Sequence, residues 1–183
     1  MKKWLLGLLS LSLLVGCQNN TTKIKVAVTP VPHAEMLEQI KSDMKERGVN
    51  LEIVEVEEYT LPNRLLSEGR VDANFFQHTP FLDMQTKELG YDLVVLETIH
   101  IEPLGIYSKK IQELSSLKDG AIVAIPSDPT NEARALQLLA AQGLIELDPS
   151  STLATPLDIT QNPKKLKFRE VDASLLPRTF IDV

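Results

Sequence analysis

Ala121-Ile122-Val123-Ala124-Ile125-Pro126-Ser127-Asp128-Pro129-Thr130-Asn131-Glu132-Ala133-Arg134 carries a complete handover from strand to helix. Ala121 to Ile125 is an unbroken apolar run, the form of a strand covered on both faces. Asp128 suits an N-cap, because its carboxylate accepts from the free N–H groups of a first helical turn. Pro129 suits the position after it, where no N–H is needed. Leu136, Leu139 and Ala140 give an apolar helical face as far as Gln142, and Gly143 stops the helix. A buried strand feeding a capped helix is the unit from which α/β domains are built.

The same alternation runs outward in both directions. Upstream, Ile24 to Val28 reads as a strand. Ala34 to Arg47 reads as a helix with Leu37, Ile40 and Met44 at helical spacing and Gly48 at its end. Leu51 to Val56 alternates as a strand. Thr60 and Pro62 open a helix to Ser67, Val71 to Phe75 is a third strand, and Pro80 opens a helix ending at Leu89-Gly90. Leu93 to Leu96 is expected to be a strand covered on both faces. Ile99 to Tyr107 is expected to be extended, with Pro103 limiting its ladder bonds. A second unit is expected to begin at the Lys118-Asp119-Gly120 turn. Beyond Gly143, Asp148 to Pro163 is rich in Pro, Ser, Thr and Asn and is expected to be mostly loop. Leu166 to Val171 reads as a strand, Ala173 to Leu176 as a helical turn, and Phe180 to Val183 as the start of another strand. A strand begun at the last residues has no later neighbour, so truncation is one expectation and a partner within the chain the other.

Composition bounds the function classes. The 183 residues are 43% hydrophobic and 24% charged, ordinary for a globular protein. The net charge of −6 and the absence of a basic block argue against a nucleic-acid partner. No G-x-S-x-G elbow, phosphate-binding G-x-x-x-x-G-K or H-E-x-x-H stretch is present, so neither an enzyme nor a bound cofactor is expected.

The first residues form a leader of their own. Lys2 and Lys3 precede an apolar run from Trp4 to Val15, too short to span a bilayer comfortably and shaped like a secretory signal over residues 1–16. It ends at Leu14-Val15-Gly16-Cys17, which resembles a bacterial lipobox. Cys17 is the only cysteine, which rules out an intramolecular disulfide and points to acylation. The alternative is a plain signal peptide with an incidental cysteine. Residues 17–23 then serve as a tether to a cell membrane, with the domain facing the periplasm or exterior; acyl chains would carry the attachment.

Two stretches carry the candidate binding chemistry. Asp72 to Phe81 gathers Phe75, Phe76, His78 and Phe81 at a strand-to-helix junction in a chain only 5% aromatic. Ligands of open α/β sheets bind at such carboxyl ends. Neighbouring strand residues face opposite ways, so one of Phe75 and Phe76 is expected in the core and at least one ring in a pocket. At the other stretch, Arg134 lies about one turn into the helix opened by Asp128. Its guanidinium and the free N–H groups suit a carboxylate, while a surface salt bridge with Glu132 or another acid is an equal alternative. His33, His78 and His100 are far apart in sequence, and a metal site would need the fold to gather them.

The stretches Asn74-Phe75-Phe76-Gln77-His78-Thr79-Pro80-Phe81, His100 to Lys110, Ile125 to Leu136 and Ala154 to Phe168 resemble the methionine-binding lipoproteins of ABC transporters, the NlpA lipoprotein family. The resemblance runs from the lipobox to the last residue. It implies a two-lobed α/β fold of the type II periplasmic-binding-protein class, with lobe 1 over 24–106 and a partial lobe 2 over 107–183 whose C-terminal completion is missing. It implies a ligand cage of Tyr59, Phe76, His78, Phe81, His100 and Arg134, with Asn131 close by. Family members usually carry tyrosine where this chain has Phe81, so one hydroxyl is absent. The implied partners are methionine or a related amino acid, an ABC transporter permease, and the membrane through the lipid anchor. Two other readings stay open: a shortened structural or interaction lipoprotein without transport, and a metal-binding receptor.

Overall fold

The structure, a computed structural model, describes residues 21–180. The leader, Cys17, and all but the first residue of the strand expected from Phe180 lie outside the described residues. Phe180 itself follows a helical turn. Among the described residues no helix is long and apolar enough to cross a membrane.

In the first unit, β1 (Thr22–Val28), α1 (Glu35–Glu46), β2 (Val49–Glu55), α2 (Leu61–Ser67), β3 (Ala73–Phe75) and α3 (Thr79–Leu89) follow in order. The sheet order is β2-β1-β3 and both pairings are parallel. The central strand β1 is therefore covered on both faces, and its period of two decides which residue enters which core. Val26 and Val28 join Leu51 and Ala34 on one face. Ala27 joins Val56, Leu65 and Val71 on the other. Ala27 and Val28 have no exposed surface.

In the second unit, β4 (Ile122–Pro126), α4 (Pro129–Ala141), β5 (Glu146–Leu147), β6 (Ile159–Gln161) and β7 (Lys167–Val171) lead to the single helical turn α5 (Leu176–Thr179). β4 pairs in parallel with β7, and β5 pairs antiparallel with β6. Its core is built from Ile125, Leu136, Leu139, Leu144, Ile145, Ala154 and Leu166. Asp128 caps α4 as expected, accepting from the Asn131 N–H at 3.0 Å. The glycines expected to end helices, Gly48, Gly90 and Gly143, all adopt positive φ, where residues with a side chain are strained.

Three expectations are corrected. Leu93 to Leu96 is not a strand: it has no ladder partner among the described residues, and Val94 and Leu96 are 76% and 84% exposed. An apolar run gains strand conformation only where another strand satisfies its backbone. Ile40 on α1 is 44% exposed, so it stands off the apolar face that Leu37 turns to the core. Ile122, expected inside a fully covered strand, is 48% exposed, so among the described residues its end of β4 is left uncovered. The stretch from Asp148 to Pro163 is mostly loop as expected, with the short strand β6 inside it. Its pairing with two-residue β5 is too short to leave a periodic signal.

Candidate functional site

The residues singled out in the sequence stand just past the carboxyl ends of the parallel strands, where an open α/β sheet leaves room for a ligand. Tyr59 follows β2. Phe76 and His78 follow β3, with Phe81 in the first turn of α3. Asn131 and Arg134 stand on the first turns of α4, beyond β4. All six, with His100, line one cleft of about 2290 Å³. That exceeds the several hundred Å³ typical of a small-molecule site, so an amino acid would fill one part of it.

Four rings form one group in that part. Tyr59 meets Phe76 at 6.2 Å and Phe81 at 6.3 Å between centroids, both edge to face. Phe76 meets Phe81 at 6.0 Å, also edge to face, and His78 stacks on Phe81 at 6.4 Å. These are favourable offset geometries for quadrupolar rings. Phe75 points the other way, against the core beside Val28, as adjacent strand residues must.

A buried amide cluster holds this segment. Asn63, with no exposed surface, donates to the Gln77 side-chain oxygen at 2.8 Å. Its own oxygen accepts from Asn74 at 2.8 Å and Gln77 at 2.7 Å. The residues flanking Phe75 and Phe76 are thus tied to α2. Sequence reasoning missed Asn63, since a lone polar residue inside a short helix carries no signal.

The electrostatics follow from burial. Burial is the first cause that lowers the His78 pKa, and the Arg134 charge lowers it further, against Asp128. The imidazole is therefore neutral at pH 7. Its Nε2 is buried with no hydrogen-bond partner among the described residues. Burial, then the charges of Glu102, Asp128 and Asp172, raise the Tyr59 pKa, so its hydroxyl stays protonated.

Arg134 makes no ion pair among the described residues, so the surface salt bridge is not what the fold forms. Its Nη1 donates to the Asn131 side-chain oxygen at 2.8 Å and its Nη2 to the Glu102 backbone carbonyl at 3.0 Å. The Asp128 carboxylate takes the Asn131 N–H and also accepts from the Thr130 hydroxyl at 2.9 Å. The positive end of the helix is already capped by an acid, which leaves the guanidinium as the group able to meet a ligand carboxylate.

His100 stands apart from the ring group. It contacts His33 at 5.2 Å and Phe75 at 5.7 Å between centroids, and its Nε2 donates to Glu102 at 3.0 Å. The fold thus gathers two of the three histidines with a carboxylate and leaves His78 with Phe81. Burial, the leading cause, lowers the His33 pKa.

The chain is similar to known proteins over most of its length. The family model described as NlpA lipoprotein matches residues 24–183. A probable D-methionine-binding lipoprotein MetQ of Pasteurella multocida is 44% identical over 163 residues, which cover 88% of this chain and 59% of that protein. A solved nutrient-binding protein of Burkholderia cenocepacia, bound to methionine, is 44% identical with a TM-score of 0.84, covering 87% of this chain and 68% of that one. A periplasmic substrate-binding protein of an ABC transporter from Coxiella burnetii is 43% identical with a TM-score of 0.82, again covering 87% and 68%. The chain therefore has the α/β fold of periplasmic substrate-binding proteins, and it spans less than two thirds of the Pasteurella protein's length. It belongs to the NlpA lipoprotein family.

Proposed function

We propose that the chain captures methionine or a closely related amino acid for an ABC importer and performs no chemistry on it. The observation that carries this reading is the convergence of Tyr59, Phe76, His78 and Phe81 on the same cleft as Arg134 and Asn131. A thioether is polarizable and packs well against aromatic edges. Arg134 holds the carboxylate, Asn131 orients the guanidinium, and the free His78 Nε2 offers a hydrogen-bonding position to a ligand polar group. His100 lines the same cleft beside His33 and Phe75. Residues 24–106 act as lobe 1 and 107–183 as part of lobe 2, with lobe closure signalling to the permease. Cys17 carries the acyl anchor that keeps the protein on the cell membrane.

Calorimetry with L- and D-methionine is the test. A carboxylate is costly to bury without a countercharge, and truncating one partner of a buried pair costs about 3–5 kcal/mol. Arg134→Ala is expected to weaken methionine binding by roughly two to three orders of magnitude. Arg134→Lys recovers only part, because an ammonium lacks the planar fork. Unchanged affinity in Arg134→Ala would refute the assignment of the carboxylate.

One observation favours a second reading. The run from Val94 to Tyr107 exposes Val94, Leu96, Ile101 and Tyr107 on the rim of the cleft. Such a surface suits a partner protein. A folded chain that binds no amino acid would favour an interaction lipoprotein.

A further inference from the structure

We infer that His33, His100 and Glu102 form a binding site for a divalent transition-metal ion, with zinc as the best fit. The three side chains offer ligand atoms that all lie within 4.8 Å of one another. The Glu102 Oε1 is 3.0 Å from His100 Nε2 and 3.7 Å from His33 Nε2. Ligands held at 2.0–2.2 Å around a tetrahedral ion stand about 3.4 Å apart, so the two carboxylate distances need only tenths of an ångström of adjustment, and the two imidazoles close on the ion by side-chain rotation of the partly exposed His100.

His33 carries the strongest part of the argument. Its side chain is 5% exposed, and its Nδ1 lies 2.6 Å from the Thr29 hydroxyl. With Nδ1 engaged there, Nε2 faces Glu102 and His100. A ligating histidine is commonly fixed by a hydrogen bond on its other nitrogen. Phe75 holds the ring from the side at 4.7 Å, edge to face. At 3.7 Å the His33 Nε2 is too far from Glu102 for a hydrogen bond. The carboxylate therefore hydrogen-bonds His100 and not His33, and an ion between the three would engage both imidazoles.

Glu102 is held from both directions. Pro103 restricts the preceding residue to extended backbone, and Arg134 grips the Glu102 carbonyl at 3.0 Å. Two imidazoles and one carboxylate are a zinc ligand set that leaves a fourth position open. All three residues line the cleft, so that position faces it. Ligation through Nε2 requires the His100 tautomer that carries its proton on Nδ1. The site shares His100 with the proposed amino-acid cage, whereas His33 and Glu102 have no part in that ligand set, so Glu102→Gln is the variant that separates the two.

The test uses the untagged full chain in detergent, stripped with chelator and titrated with zinc chloride by calorimetry and with cobalt(II) by visible absorption. One zinc per chain is expected, with the d–d bands of a four-coordinate cobalt centre. Glu102→Gln and His100→Asn are each expected to weaken zinc binding about tenfold or more. Both side chains are partly exposed, so these variants keep the fold, which circular dichroism checks, whereas His33→Asn disturbs a buried position. Absence of saturable binding at one ion per chain overturns the site. So does saturable binding that both variants leave unchanged. Methionine titrations on the same samples separate the two readings, because zinc binding without methionine binding supports this site alone.

Discussion

β1 and the run from Leu93 to Tyr107 are both apolar and both strand-like in sequence, yet they meet opposite ends in the fold. Ala27 and Val28 are fully buried between two neighbours and two cores. Val94, Leu96 and Ile101 are 76%, 84% and 90% exposed. The difference is the availability of a partner. β1 has parallel strands on both sides, while the later run has no ladder among the described residues. Hydrophobicity makes a strand possible, and pairing makes it real.

The largest expected effect tests this contrast between like residues. Leu51 in β2 is 5% exposed and belongs to the first core. Leu51→Ala is expected to cost about 2–5 kcal/mol in urea unfolding. Leu96→Ala removes the same atoms from an exposed position and is expected to stay within about 0.5 kcal/mol. Equal losses in the two variants would mean that residues 93–107 are buried in solution and the contrast is false.

A buried charge sharpens the same point in the second unit. Glu132 on α4 is only 6% exposed, and its Oε1 has no hydrogen-bond partner among the described residues. Burial first, then Glu170, Asp128 and Asp158, push its pKa up to about 7. The unfolded carboxyl titrates at its ordinary value of 4.5. Between these values the folded chain binds more protons than the unfolded one, so stability falls as pH rises from about 4.5 to 7 and stays reduced above. Glu132→Gln is expected to stabilise the chain by about 1–3 kcal/mol at pH 8 and by little at pH 4.5. Thermal melts across that range give the answer; a gain independent of pH would point to packing instead of charge.

The smallest expected effect compares two helix starts. The Asp128 side chain accepts the Asn131 N–H, whereas the Thr60 side chain makes no cap bond and its hydroxyl turns to Glu58. Asp128→Ala is expected to cost about 1 kcal/mol and Thr60→Ala a few tenths at most, read from urea midpoints. A similar cost at both positions would show that sequence position matters more than the bond itself.

These comparisons locate what the sequence could reveal. β1, β2, β4, β7 and the four longer helices were legible because periodicity and caps are local signals. The opposite facing of Phe75 and Phe76 was legible for the same reason. The fate of Leu93 to Leu96 was not, because pairing is decided by residues elsewhere. The candidate cage became legible through family resemblance, and the fold brings its rings and Arg134 to one cleft. His33 and Glu102 beside His100 were hidden, being separated by more than sixty residues of chain. The available hint was that His33 closely follows the carboxyl end of β1, the edge where ligands gather. Asn63 gave no hint, since its amide partners lie in the next strand and the loop after it.

The central place of β1 also sets an order of assembly. β1 is the first strand among the described residues, yet both of its hydrogen-bonding edges wait for segments that emerge later. The Lys25 N–H meets the Asp72 carboxylate 47 residues onward, and Val28 pairs with Phe75. Until residue 75 is available, no nascent piece can satisfy this strand. Local helices α1 and α2 form early at low entropic cost, while the sheet closes late around its oldest member. During synthesis β1 is therefore an unfinished edge, and the first unit is complete only once β3 has joined it.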